Sequence, residues 1–208
     1  ADKQAKGEMT ALGFDPARGG VDKSSIAPRH GQWFDKIITA PGIVTKDGPT
    51  AAAFVIPHVR NGACICVDSI GIGSSALDFL TGLNLNVLAV NGSEASAAIT
   101  KAGSLRYRNK RAEMYWRLRE ALDPTSPDPI ALPPDQELLG DLTAVRYKVV
   151  TMGKAAAIQM RSKDEIREML GRSPDKGDAV AMTFAVGVKP PNTRRDEYES
   201  PPPPDWRM

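Results

Sequence analysis

The apolar positions of this chain fall into short runs, some unbroken and some alternating, punctuated by glycine, proline and aspartate. Residues 10–15, TALGFD, form an apolar run closed by an acid and predict a strand. A Gly-rich turn, PARGGVDK, follows. SSIAPRHGQWFDKIITA predicts two strands joined at His30–Gly31, a hairpin. Residues 50–60 have a helical pattern, with Pro57 placed to kink or end the helix. ACICVD, residues 63–68, is the cleanest buried strand, free of charge until Asp68 closes it. SIGIGSSALDFLTGLN predicts a turn and then a helix closing near Gly82, and LNVLAVNG predicts a further buried strand.

The second half is richer in charge. YRNKRAEMYWRLREAL predicts a strongly charged amphipathic helix, DPTSPDPIALPP a Pro-rich connection and DQELLGDLTAVR a short helix. YKVVTMGKAAAIQM predicts a hairpin that turns at Met152, Gly153 and Lys154. Ser162 and Glu165 have the spacing of a capping box, and the helix they open stops at Gly171. A last helix follows, with Ser173 as its cap and Pro174 in its first turn. Residues 1–9 are polar and predict a linker, and residues 189–208, ending in a proline run, predict a disordered tail. Between them, 10–188 is expected to be one domain. Buried strands alternating with helices imply an α/β architecture, a mixed sheet covered on both faces.

Composition narrows the function classes. The chain has 208 residues, 41% hydrophobic and 25% charged, enough for a real core, with a formal net charge of +2. No global basic field announces nucleic acid, so any such binding must come from a local patch. Two cysteines, Cys64 and Cys66, alternate on a strand and share a face; with only two histidines in the chain a zinc site is not expected, and both read as reduced core residues. No apolar run reaches the length of a membrane span. The first residue is Ala rather than Met, as in a processed chain or a piece of a longer one.

Three acids stand where acids are costly. Asp15 and Asp68 each close a buried strand, on the sheet edge where open α/β proteins hold ligands. If those strands are neighbours, the two carboxylates lie side by side. Asp178 stands inside the apolar run of GRSPDKGDAVAMTFAVG, one turn beyond Asp175, and a carboxylate there needs a positive partner. Without a cation one or more of the three must keep a proton. Hard oxygen donors with this much negative charge select Mg²⁺ or Mn²⁺, and two such ions form a clamp for displacement at phosphorus. The plainer alternative is that these acids are turn and cap residues, which describes Asp175 better than Asp178.

Four stretches, in order, carry a resemblance: GFDPARGGVD, CICVDSIGIGSSALDFL, YRNKRAEMYWRL and SKDEIREMLGRSPDKGDAVAMTFA. Together they resemble the nuclease domain of the large terminase subunit of tailed bacteriophages, over about residues 10 to 187. The resemblance implies a ribonuclease H-like fold with a central five-stranded mixed sheet. It also implies a two-metal endonuclease that cuts concatemeric viral DNA during packaging. Asp15, Asp68 and Asp178 match the family's metal-binding acids, and Asp22 falls near an auxiliary acid of some members. The partners it implies are double-stranded DNA, the ATPase motor domain of the same terminase, the small terminase subunit and the portal, in the host cell cytoplasm. The chain lacks a GxxxxGK[ST] loop, since GGVDKSS has no glycine before the lysine, so the motor is expected elsewhere.

Other signals are weighed against that reading. Gly71, Gly73 and Ala76 spell GxGxxA, but three residues separate the strand from the first glycine, so close backbone approach fits better than a dinucleotide. Arg106, Arg108, Lys110 and Arg111 form a basic cluster before and at the start of the charged helix, suited to DNA phosphates, with a solvated helix as the alternative. Tyr115 and Trp116 read as core. Lys154 on the hairpin tip is a further phosphate-contact candidate. Lys163 and Arg172, flanking the helix before Asp178, are suited to touch a phosphate or to balance the acids, with a plain cap-region charge as the alternative. Two rival functions stay open: another ribonuclease H-like enzyme, such as a junction resolvase or transposase core, and a non-catalytic DNA- or portal-binding module.

Overall fold

The computed structural model describes residues 7–19 and 22–186. The Pro-rich tail and most of the N-terminal linker lie outside the described residues. β1 (Ala11–Asp15) is followed by β2 (Lys23–His30), β3 (Trp33–Phe34) and β4 (Ile38–Pro41). α1 (Gly48–Val55) ends in a 3₁₀ turn at Pro57, and then come β5 (Cys64–Asp68), α2 (Ile72–Gly82) and β6 (Val87–Val90). These strands form one mixed sheet in the order β3-β2-β1-β5-β6, with β4 also paired to β2. The sheet is thus five strands wide, as expected, with its outer place shared by two short strands. β1 runs antiparallel to β2 and parallel to β5, and β5 runs parallel to β6. Pro28 is tolerated inside β2 because β4 pairs with Lys23–Ile26 and β3 with Arg29–His30, leaving a gap at the proline.

β5 reads as an unbroken apolar run because both its faces are covered. Ile65 and Val67 pack with Leu12, Phe14, Ala51 and Leu80 in one cluster, under α1 and α2. Cys66, buried, and Cys64, half-buried, face the opposite cluster. There the sheet is covered by α3 (Lys110–Ala121) and by α6 (Asp175–Met182), with α4 (Gln136–Ala144) packed on α6. β6, expected to be buried, is the sheet edge, and only Val90 of it is buried.

A second sheet is built from β7 (Arg106–Tyr107), β8 (Tyr147–Met152) and β9 (Ala155–Met160), in the order β7-β9-β8. The β8–β9 hairpin turns at Gly153, whose φ of 62° suits glycine. α5 (Lys163–Leu170) opens with the predicted capping box and ends at Gly171 in a left-handed conformation, φ 68°.

Two helices differ from expectation. The N-cap of α6 is Pro174, not Ser173, and no side chain caps it; Asp175 in its first turn accepts the Lys23 amide instead, at 3.1 Å. α3 is not a solvated amphipathic helix. Ala112, Glu113, Met114, Tyr115, Trp116 and Leu118 are all buried, because α6 and the second sheet pack against it and Met114, Tyr115 and Leu118 join the core cluster with Cys66 and Val90 of the main sheet. Glu113 is buried with its charge met by Lys110 at 3.0 Å and Arg117 at 2.6 Å. Among the described residues no helix is long and apolar enough to cross a membrane.

Candidate metal centre

β1 and β5 lie parallel with Phe14 beside Val67, so the next residues, Asp15 and Asp68, project side by side from the carboxyl ends of adjacent strands. α6 brings the third acid. It lies so close to β1 that a Cβ on Gly13 would sit 1.8 Å from the Ala179 carbonyl oxygen, a contact only glycine allows. That approach carries Asp178, 6% exposed, over the strand ends. On the other side Gly73 lets the start of α2 press against the carbonyl of Asp68 itself, and a Cβ there would lie 1.6 Å from it. Of the GxGxxA glycines, Gly73 therefore serves backbone approach at the acid-bearing strand end, while Gly71 takes a positive φ of 65°.

The positive group among the acids is Lys163, the first residue of α5. Its Nζ lies 2.9 Å from Asp178 Oδ2 and 3.9 Å from Asp68 Oδ2. Asp15 belongs to the same electrostatic cluster. Burial pushes its carboxyl well above the ordinary range, the charges of Asp178, Asp68 and Asp175 add to this, and Lys163 opposes it. Asp68 is raised too, chiefly by burial, with Asp178 adding; Lys163 and the Ile70 amide, at 3.1 Å, act against the rise. Asp178 is lowered although burial pushes it up, because Lys163, Arg111 and the Tyr115 hydroxyl all favour its charged form. Burial likewise disfavours the Lys163 charge, but three carboxylates outweigh it and raise the ammonium's pKa.

Oδ1 of Asp178 accepts a 2.7 Å hydrogen bond from Tyr115 and lies 3.6 Å from Arg111 Nε. A small cavity of about 40 Å³ opens beside these groups, lined by Asp68, Arg111, Tyr115, Lys163 and Asp178 together with apolar side chains. As oriented here, no three His, Cys, Asp or Glu side chains among the described residues converge tightly enough to hold an ion. The ammonium stands among them.

The other candidates divide. Asp22 is outside this cluster and pairs with Arg167 of α5 at 3.1 Å. Arg106 and Arg108 are exposed, and Lys154 is exposed at the hairpin tip. Lys110 is paired with Glu113. Arg111 belongs to the acid pocket rather than to an outward basic patch. Arg172 turns to α4, 2.6 Å from Asp141, and donates to the Glu137 carbonyl at 3.2 Å. Asp141 itself escaped the sequence reading. It is fully buried and accepts the Gly177 amide at 3.0 Å, which ties α4 to the residue before Asp178. Its signal was there: Leu138, Asp141 and Ala144 recur at helical spacing on one buried face.

No family model and no curated protein matches the chain. Solved structures do. The nuclease domain of the large terminase subunit of bacterial virus Sf6 superposes with a TM-score of 0.68 at 22% identity, covering 89% of this chain and 91% of that one. A mutant of that domain, solved with manganese and β-thujaplicinol, gives the same values. The large terminase nuclease of thermophilic phage G20c, with bound magnesium, reaches a TM-score of 0.54 at 13% identity, over 86% of this chain and 81% of that one. The chain has the fold of phage terminase nuclease domains. Within that terminase-nuclease fold the five-strand-wide ribonuclease H-like sheet, expected from sequence, is the frame on which the three acids meet.

Proposed function

We propose that this chain is a divalent-metal-dependent DNA endonuclease that cuts concatemeric viral DNA during genome packaging by phosphodiester hydrolysis. The observation that carries the reading is the meeting of Asp15, Asp68 and Asp178, from three distant points of the chain, around the ammonium of Lys163. The fold likeness to terminase nucleases, some solved with manganese or magnesium, supports it.

The residues fit a hard dication. All three donors are carboxylates, and Oδ2 of Asp178 has no hydrogen-bond partner among the described residues beyond its ion pair with the ammonium. Asp15, Asp68 and Asp178 would hold two Mg²⁺ or Mn²⁺ ions. When bound, the ions would ease deprotonation of the attacking water and neutralise charge on the departing 3′ oxygen. The protein's own part is to present the oxygens, to keep Asp178 ionised through Lys163, Arg111 and Tyr115, and to orient the phosphate. Lys163, with its side chain 43% exposed, would turn from the acids to a DNA phosphate when ions take its place. Arg106, Arg108 and Lys154 hold the duplex by its phosphates without reading sequence. In this role the chain works in the host cell cytoplasm beside an ATPase motor, a small terminase subunit and a portal.

Plasmid cleavage tests the reading. Wild-type protein nicks or linearises supercoiled plasmid with Mn²⁺ and not with EDTA. Asp68→Asn lowers the rate by more than ~100-fold, beyond the usual effect of removing a mere outer-shell partner, while circular dichroism and melting stay close to wild type. An Asp68→Asn protein that cuts as fast as wild type would sink the assignment.

A further inference from the structure

Asp178 is gripped from behind by α3. Tyr115 is buried, and its hydroxyl donates to Asp178 Oδ1 across a separation of 63 residues. Arg111, one turn earlier on the same face, places Nε 3.6 Å from that oxygen. The guanidinium is itself fixed: Nη1 donates to the Arg161 carbonyl at 2.8 Å, and its centre lies 4.9 Å from the Tyr115 ring centroid. Space around the grip is tight, since a Cβ on Gly177 would sit 3.4 Å from the Tyr115 hydroxyl and 2.9 Å from Asp141 Cβ. Both contacts that α3 makes with the Asp178 carboxylate fall on Oδ1. Oδ2 is left facing Lys163, on the side of Asp68.

A carboxylate with one oxygen pinned cannot rotate freely, so its second oxygen is aimed. We propose that Tyr115 and Arg111 are positioning residues that hold Asp178 by Oδ1 and thereby present Oδ2 to the ion-binding pocket it shares with Asp15 and Asp68. This rests on the metal-dependent reading above. It assigns α3 a role in the site that its core-like sequence conceals, and it gives Arg111 a task other than DNA contact. Removing an outer-shell partner of a metal-ligating group weakens metal binding by about 10- to 100-fold.

The test is Tyr115→Phe in the full chain, which deletes one oxygen and keeps the ring. Mn²⁺ binding is measured by calorimetry without DNA, alongside the Mn²⁺ dependence of plasmid cleavage. The expected result is a folded protein whose Mn²⁺ Kd is weaker by about 10- to 100-fold, with a matching shift in the Mn²⁺ needed for half-maximal cleavage. At saturating Mn²⁺ the rate returns to near wild type. A residue that merely filled the core would lower the melting temperature without moving the Mn²⁺ Kd, so a folded Tyr115→Phe with a Kd within twofold of wild type overturns the inference. Should Tyr115→Phe fail to fold, Arg111→Lys decides. A several-fold weaker Mn²⁺ Kd supports the proposal and an unchanged one overturns it. Wild-type protein that takes up no Mn²⁺ overturns the nuclease reading, and this inference with it.

Discussion

Asp15 carries its charge in a place that disfavours it. Burial, then the neighbouring acids, raise its carboxyl well above the ordinary range despite Lys163. The folded protein therefore keeps that proton to higher pH than the unfolded chain does. Relative to an Asp15→Asn variant, wild type loses stability as pH climbs from the ordinary carboxylate range through the raised value. Asp15→Asn should thus melt higher than wild type at neutral pH in EDTA, the gain shrinking toward pH 4, while abolishing cleavage. Melting curves across pH check this, and an Asn variant that melts lower at neutral pH would refute it. Such acids were legible in the sequence because each interrupts an apolar pattern. Lys163 was half legible: behind Ser162 and ahead of Glu165 it suits a phosphate, the acids or a plain helix start alike, and the folded chain turns its ammonium to the acids. The place of Arg111 beside Asp178 was hidden for a related reason. In a row of basic residues, nothing local marks the one that folding turns inward.

The elements were legible wherever glycine, proline or an acid closed an apolar run. β1, β5, α2 and the β8–β9 hairpin stand where the pattern put them. The two-residue β7 carries too few positions for a period to register, and β6 reads as buried although it is the sheet edge, because an apolar run does not say how many neighbours a strand has. What no run reveals is the approach of α6 to β1. Gly13 alone permits it, and Gly13→Ala should push α6 from the sheet, destabilising the protein by about 1–3 kcal/mol. The same change should weaken Mn²⁺ binding by moving Asp178 away from Asp15. Chemical denaturation and calorimetry measure both effects. Gly31→Ala, on an open hairpin turn with nothing near its Cβ position, should leave Mn²⁺ binding unchanged, so a similar Mn²⁺ effect at both sites would remove the steric explanation.

At the scale of the whole molecule, a net charge of +2 gives little attraction at a distance, so on the nuclease reading DNA affinity must come from local phosphate contacts. Binding of a catalytically silent Asp68→Asn protein should fall steeply with salt, and Lys154→Ala should lower the log–log slope by about 1 if the hairpin tip meets one phosphate. A salt-independent affinity would point to another mode of binding. The order of the acids along the chain has a further consequence. The first two arrive on strands that pair early in the sequence, while the third rides on α6, the last helix described, and needs α3, α4 and the glycine gap of β1 to seat it. Domains emerge from the ribosome with the N-terminal part first. A nascent chain would therefore display the sheet long before it displays the three-acid centre, and on the nuclease reading proposed above no scission begins until translation has passed the final helix.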